Sequence, residues 1–230
     1  SVIIWSLGNE AGDGPNFAAS YDLVKSMDSS RPVQYEPAIW NGKTDIFCPM
    51  YFDYRDCERY SQSNPARPLI QCEYAHAMGN SMGGLKEYWD LVRKYPAYQG
   101  GFIWDFVDQA LCWPSAEEGT DHVFVYGGDF NDYDPSDNSF CCNGIIAADR
   151  SLHPHAYEVA YQYRSIHTTA ADALAGVVEV YNENFFIDLS RYMMEWDVEV
   201  DGVKVLSGAV SSLDVAPQKT AKVDLGFNEA

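Results

Sequence analysis

The sequence predicts an α/β fold in its longer first part and an antiparallel β-sandwich in its last part. The first prediction rests on short apolar runs, at residues 2–7 and 68–72, that alternate with segments of helical periodicity. The second rests on the strand-like runs that follow residue 166, two of which flank the hairpin turn signal Asp201-Gly202. Strands that alternate with helices favour βα units and a parallel sheet.

The elements of the first part follow from their local patterns. Residues 2–9 form an apolar run that predicts a strand buried on both faces. A helix is predicted from Phe17 to Met27, where turn residues end it. The other predicted elements are strands at 33–36, 44–51, 68–74 and 101–108, and a helix at 84–95. Between residues 36 and 68 the pattern leaves little room for regular helix.

Two further segments complete the prediction. Residues 113–143 are rich in Gly, Asp, Asn and Tyr with little periodicity, which predicts a long functional loop. Beyond it, antiparallel strands are predicted at 176–181, 194–200 and 204–207. We therefore expect two domains, 1–165 and 166–230, of which the second is an incomplete sandwich.

The composition of the chain restricts the classes of molecule that it could bind. The 230 residues carry a net charge of −19, which argues against nucleic-acid and membrane partners and favours a neutral small molecule such as a sugar. The six cysteines lack CxxC spacing, which argues against zinc. Cysteines that lie inside apolar runs predict buried free thiols, which favours the cytoplasm, with the periplasm or secretion left open. No signal peptide or membrane span is visible, but the chain opens mid-strand without Met, so we expect its natural start to be missing.

Two glutamates end apolar runs and are the candidate catalytic groups. Glu10 follows the first run and Glu73 ends the run at 68–72. A glutamate in an apolar strand is costly to bury without a partner, and two carboxylates on different strands are what glycosidic cleavage requires. Glu10 could instead be an ordinary loop acid. His76 is open to a structural or a site role, as is Trp104.

The motifs around these glutamates resemble glycoside hydrolase family 2. Residues 1–10 (SVIIWSLGNE) resemble its acid/base signature. Residues 72–80 (CEYAHAMGN) resemble its nucleophile signature, in the form found in the large bacterial β-galactosidases. Further matches lie at 31–36, 48–51, 100–105, 126–130 and 140–144. The resemblance covers the chain to about residue 165 and continues more weakly into the sandwich.

The resemblance implies a fold and a reaction. The fold would be a (β/α)8 TIM barrel, of which this chain holds about strands 4–8, followed by an incomplete immunoglobulin-like sandwich. The reaction would be retaining removal of terminal β-D-galactose from lactose-like β-galactosides. Glu73 would be the nucleophile and Glu10 the general acid and base. The natural protein is expected to be a homo-oligomer.

The resemblance also implies roles for other residues. The sugar-binding set comprises Asn9 for the 2-hydroxyl, Tyr51 for the nucleophile, His76 for sugar hydroxyls, and Trp104 as the galactose platform. Phe140, through its carbonyl, and Asn143 would hold Na⁺, and Glu10 would double as a Mg²⁺ ligand. Most Mg²⁺ ligands would lie outside this chain.

Two alternatives stay open. A family-2 hydrolase of another β-glycoside, such as a β-glucuronidase, would want Arg or Lys beside its acidic substrate, and no basic residue flanks either glutamate run. A non-catalytic carbohydrate-binding barrel remnant would have been favoured by loss of a glutamate, and both are present.

Expressed alone, the 230-residue chain is expected to be poorly soluble or molten and inactive. Strand 2–7 would present an open edge, and exposed edges promote aggregation. Size-exclusion chromatography and a chromogenic galactoside assay check this. A monodisperse, cooperatively melting chain that turns over substrate would contradict it.

Overall fold

A computed structural model of the chain describes residues 2–115 and 119–226. The remaining positions, which include parts of the predicted loop and of the predicted second domain, lie outside the described residues. The chain divides into two compact units, Ser1–Gln162 and Tyr163–Ala230. The first unit contains β1 (Trp5–Ser6), α1 (Pro15–Met27), β2 (Val33–Gln34), η1 (Glu36–Ala38), α2 (Tyr54–Gln62), β3 (Leu69–Tyr74), α3 (Leu85–Lys94), β4 (Tyr98–Ile103), β5 (Leu111–Pro114), β6 (His122–Val125), η2 (Asn138–Cys141) and α4 (Pro154–Gln162).

Parallel pairing organises the first unit, as the sequence predicts. β1 pairs with β2, with Ser6 opposite Gln34, and β3 pairs with β4. Between β2 and β3 lies the segment 45–51, which hydrogen-bonds to both neighbours. Five parallel segments therefore lie side by side in chain order. Among the described residues they do not close into a barrel.

The prediction of a full strand at 44–51 was wrong. The segment makes only isolated bridges to β3, through Phe47 and Met50. Pro49 lies between them and has no N–H to donate, so the ladder is interrupted there.

The prediction of a doubly buried strand at 2–9 was also wrong. β1 is two residues long, and Val2 and Ile3 are 48% and 75% exposed. In the described part of the chain, β1 hydrogen-bonds to β2 alone, so its other edge and much of its surface lack cover.

Helix α2 lies where little regular helix was expected. The side chain of Asp53 caps it by accepting a hydrogen bond from the Asp56 N–H at 2.8 Å. Its buried positions are Cys57 and Ser61 rather than large aliphatic residues, so the sequence shows weak apolar periodicity there. The helix packs on a core whose buried members include Phe47 and Leu69.

The observed bounds of the other helices and strands differ by a few residues from the predicted bounds. The predicted helices at 17–27 and 84–95 are confirmed as α1 and α3. The predicted strand at 101–108 occurs earlier, as β4. Within the predicted loop 113–143, part of a short antiparallel hairpin (β5 and β6) and the turn η2 give local order.

No helix in the described ranges is long and apolar enough to cross a membrane.

The second unit contains the three predicted antiparallel strands, as β8 (Val177–Asn182), β9 (Met194–Val200) and β10 (Val203–Val210). It also contains two strands that were not predicted, β7 (Ile166–Asp172) and β11 (Thr220–Asp224). β8 lies between β7 and β11, and β9 pairs with β10. Asp201 and Gly202 have φ values of 52° and 77°, which the tight hairpin between β9 and β10 requires. A core around Val180 and Leu189 stabilises the unit.

Gly144 is expected to tolerate no side chain. A Cβ there would overlap the backbone of Val107, Asp108 and Ile146. The backbone cannot yield easily, because the Gly144 N–H donates to Asp108 Oδ1 at 2.8 Å and the Asp108 N–H donates to the Ile146 carbonyl at 3.0 Å. In the complete natural polypeptide, Gly144→Ala should lower the free energy of unfolding by about 1–3 kcal/mol in a denaturant titration.

Gly83→Ala is the matched control, because an added Cβ there meets nothing within 4 Å. Equal destabilisation by the two substitutions would show that close approach at Gly144 is not the cause.

Candidate active site

Glu73 has both carboxylate oxygens engaged. Asn9 Nδ2 donates to Oε1 at 2.7 Å, and the Tyr51 hydroxyl donates to Oε2 at 2.9 Å. A carboxylate on an apolar strand is costly unless donors reach it. The structure supplies those donors from two of the residues that the sequence singled out.

The parallel segments bring these residues to one edge of the sheet. Asn9 follows β1, and Tyr51 ends the segment whose Met50 bridges to Glu73. The Tyr51 N–H also donates to the Glu73 carbonyl, at 2.9 Å. Carboxyl ends of parallel strands meet at the same edge, which is where barrel enzymes carry their catalytic groups.

Glu10 lies close enough to this group for its charge to act on Tyr51. It is exposed and has a φ of 48°, a left-handed conformation that non-glycine residues rarely adopt. Tyr51 shares this conformation, with a φ of 51°. Strained backbone of this kind clusters at functional sites.

Electrostatics connects the acidic residues. Burial chiefly, then the hydrogen bond to Glu73 and the charges of Glu73 and Glu10, raise the pKa of the Tyr51 hydroxyl. Tyr51 therefore stays protonated and keeps its proton available to Glu73. Burial chiefly, then the charges of Glu10 and Glu73, also raise the pKa of Glu36. Three carboxylates thus lie in one neighbourhood.

An open pocket of about 440 Å³ adjoins Glu73. Its lining residues are Ser6, Gly8, Asn9, Gln34, Cys72, Glu73, Phe102, Ile103, Trp104 and Asp105. Trp104 is 36% exposed and is held by its backbone, which receives a hydrogen bond from the Ala77 N–H at 2.8 Å and donates one to the Tyr74 carbonyl at 3.2 Å. The pocket therefore combines an aromatic wall with the paired carboxylate.

A second pocket, of about 320 Å³, shares Trp104 with the first. Phe140 and Asn143 line it. His76 lies between the two groups, with its ring centroid 6.0 Å from that of Tyr51 and 5.6 Å from that of Phe140. The structure thus brings Asn9, Tyr51, Glu73, His76, Trp104, Phe140 and Asn143 into one connected region. Glu10 lines neither pocket and is connected to the region through its charge, which acts on Tyr51.

Asn143 has the features of a cation ligand. Its side chain is buried, and its Nδ2 donates to the Phe140 carbonyl at 2.7 Å. Its Oδ1 is buried and finds no hydrogen-bond partner among the residues the structure describes. A buried amide oxygen is costly to leave unpaired, and oxygen donors suit hard cations. The Phe140 and Asn143 pair therefore fits Na⁺.

The described residues do not form a complete Mg²⁺ site by themselves. Within the described ranges, no group of three or more His, Cys, Asp or Glu residues could hold a metal ion. Glu10 offers one carboxylate, and no step of the chemistry below depends on Mg²⁺.

Sequence reasoning missed Ser6, Gln34, Glu36 and Asp105. Gln34 Nε2 donates to Ser6 Oγ at 3.2 Å, and Asp105 Oδ2 accepts a hydrogen bond from Gln109 Nε2 at 2.7 Å. The signal for Glu36 was available, because it is the last residue of a predicted strand, at 33–36. Ser6 and Gln34 face each other in the parallel register, which the sequence does not specify.

Comparison with known proteins identifies the family. Residues 1–168 match the family model described as glycosyl hydrolases family 2, TIM barrel domain. The chain belongs to glycoside hydrolase family 2. Residues 178–230 match the model described as Beta-galactosidase, domain 4. Both matches confirm the resemblance drawn from the motifs at 1–10 and 72–80.

One family-2 relative is the Beta-galactosidase of Priestia megaterium, which is 45% identical over 230 residues. The alignment covers 99% of this chain but 22% of that protein, so the chain spans less than a quarter of the relative's length.

Solved family-2 structures are more distant. The β-galacturonidase from Eisenbergiella tayi is 18% identical, with a TM-score of 0.48 over 72% of this chain and 34% of that one. The β-glucuronidase from Ruminococcus gnavus is 15% identical, with a TM-score of 0.46 over 71% and 32%. Likenesses this weak say nothing about which sugar this chain accepts.

Proposed function

We propose that this chain carries the catalytic carboxylates of a retaining β-galactosidase that acts on terminal β-D-galactose in lactose-like substrates. The observation that carries the proposal is Glu73, held at both oxygens by Asn9 and Tyr51 on the wall of the pocket that Trp104 lines. The 45% identity to a relative named Beta-galactosidase supports galactose as the sugar.

Glu73 acts as the nucleophile. Its two hydrogen bonds fix the carboxylate, so that one oxygen can form a bond to the anomeric carbon as the glycosidic C–O bond breaks. Glu10 donates a proton to the leaving oxygen and then removes one from the attacking water. Retention requires the two carboxyl groups to be about 5–5.5 Å apart when substrate is bound.

The sugar is held by the residues around Glu73. Trp104 offers an exposed aromatic face for the apolar side of galactose, and Asn9 and His76 offer polar groups to its hydroxyls. A sodium ion held by the Phe140 carbonyl and Asn143 would bind a sugar hydroxyl and orient the substrate. Glu10 would also be a ligand of Mg²⁺, with the remaining ligands outside this chain.

The same proposal extends to the fold and the setting. The five parallel segments support the placement of this chain at about strands 4–8 of a TIM barrel, with an immunoglobulin-like sandwich from residue 166 onward. The complete protein would be a cytoplasmic homo-oligomer.

A family-2 hydrolase of acidic sugars fits the pocket less well. The described lining contains no Arg or Lys, while Glu73 and Asp105 are both acidic. A uronic acid would meet like charge there, which costs binding energy. A neutral galactoside meets no such repulsion. A non-catalytic carbohydrate-binding role leaves the strained Glu10 without a function.

Substitution of Glu10 and of Glu73 should change the rates of hydrolysis in different ways. The test uses the full-length protein (the complete natural polypeptide, whether or not it extends beyond these 230 residues). Glu73→Gln should abolish turnover of every galactoside, because no covalent intermediate can form. Glu10→Gln should slow galactosides with poor leaving groups far more than activated aryl galactosides, because only the former need the acid. Steady-state kinetics on both substrate types measures this.

Glu87→Gln, on the exposed face of α3, is the control and should leave the rates unchanged. Equal loss by Glu10→Gln on both substrate types at the glycosylation step would remove its acid role. Full activity of Glu73→Gln would remove the proposed nucleophile.

We expect the activation of hydrolysis by Na⁺ to depend on the side chain of Asn143. Asn143→Ala removes the unpaired buried oxygen and should weaken sodium activation of the full-length protein, seen as a higher sodium concentration at half-maximal rate. Asn131→Ala, in the same polar segment but away from both pockets, is the control. An unchanged sodium response in Asn143→Ala would leave Asn143 as a turn residue.

A further inference from the structure

Cys141 and Cys142 are adjacent free thiols at the end of η2. Both are partly exposed, and Cys141 lines the smaller pocket together with Trp104, Phe140 and Asn143. The backbone around the pair is fixed, because the Cys142 N–H donates to the Ser139 carbonyl at 2.8 Å.

The two thiols belong to consecutive residues, so both sulfurs extend from one short stretch of backbone. Cys141 Sγ also donates to the Asn138 carbonyl, at 3.8 Å. The pair is therefore a compact dithiol that opens onto a pocket wall.

In the part of the chain that the structure describes, no other two cysteines offer such a pair. Cys48 and Cys57 are fully buried, and Cys112 lies alone on the exposed strand β5. Cys72 is partly exposed on β3, but the cysteine whose charge acts on it is the inaccessible Cys48.

The chemistry of the pair selects its ligand. Structural zinc takes four ligands, and among the described residues no group of three or more His, Cys, Asp or Glu could hold a metal ion. A ligand that needs only two sulfur bonds fits better, and sulfur donors prefer soft elements. An organic compound of trivalent arsenic meets both conditions, since its carbon substituent occupies the third position.

We propose that Cys141 and Cys142 form a dithiol site for monosubstituted trivalent arsenicals, and that its occupation blocks sugar binding against Trp104. In the reaction, two S–H bonds and two As–OH bonds break, two As–S bonds form, and two water molecules leave. Arsenic stays trivalent, so no oxidant is needed. No net proton is released, so neither thiol has to ionise at equilibrium.

The inhibitory half of this proposal rests on the proposed galactosidase activity, whereas the binding half does not. An arsenic-bound aryl group on Cys141 would project into the pocket that Trp104, Phe140 and Asn143 line. It would occupy the space beside the proposed sodium ligands and displace the sugar.

Phenylarsine oxide tests the binding half in the reduced full-length protein. Peptide mass spectrometry should show a phenylarsenic group on the segment that carries Cys141 and Cys142, which excess monothiol does not remove and dimercaptopropanol does. Cys141→Ser and Cys142→Ser should each weaken retention by a factor on the order of 10², because the second bond is then no longer intramolecular. Cys141→Ala and Cys142→Ala repeat the test should a serine variant fail to fold.

Cys112→Ser is the matched control and should retain the adduct like the unsubstituted protein. Absence of a monothiol-resistant adduct, or its persistence in both single variants, would overturn the site. Loss of hydrolysis of a chromogenic galactoside in step with labelling, reversed by dimercaptopropanol, supports the inhibitory half, and full activity of the labelled protein refutes it. An adduct that forms normally on a protein without galactosidase activity supports the site and counts against the proposed function alone.

Discussion

The need of one carboxylate for hydrogen-bond donors shapes this site. Glu73 lies on a strand whose neighbours are apolar, so its charge must be met by groups from outside β3. The donors, Asn9 and Tyr51, come from segments that are far away in sequence and adjacent in space. The parallel order of the segments is what makes this meeting possible, because each one delivers its last residues to the same edge. The fold and the proposed chemistry are therefore connected, because the parallel segments supply the hydrogen-bond donors that the carboxylate of Glu73 requires.

The same edge concentrates negative charge. Glu10, Glu36 and Glu73 influence one another or a shared tyrosine, while the described lining of the larger pocket has no cationic side chain. Such a site is poorly suited to an anionic substrate and well suited to a polyol, whose hydroxyls donate hydrogen bonds to carboxylates. The negative charge would also stabilise a small bound cation, and the unpaired oxygen of Asn143 offers such a cation a ligand.

The sequence was informative wherever chemistry and local pattern coincide. The glutamates at the ends of apolar runs, the helices α1 and α3 and the Asp201-Gly202 turn could all be predicted, because each has a short-range signature. Helix α2 was missed because its buried face consists of small side chains. The interrupted pairing at Pro49 and the exposure of Ile3 depend on which segments lie alongside, and a linear pattern does not contain that information. For the same reason Gln34 was invisible as a pocket residue, since only its register with Ser6 places it there.

Trp104 belongs to the walls of both pockets, and this makes the indole a natural optical reporter. Its emission responds to the polarity of its surroundings, so a ligand that displaces water on either side of the ring changes the signal. This chain has six tryptophans, so a full-length protein in which Trp104 is the one tryptophan kept, and the others are replaced by phenylalanine, would isolate that response. Such a protein would allow occupancy of the two pockets to be followed in real time without a chromogenic substrate, even in variants that no longer turn substrate over.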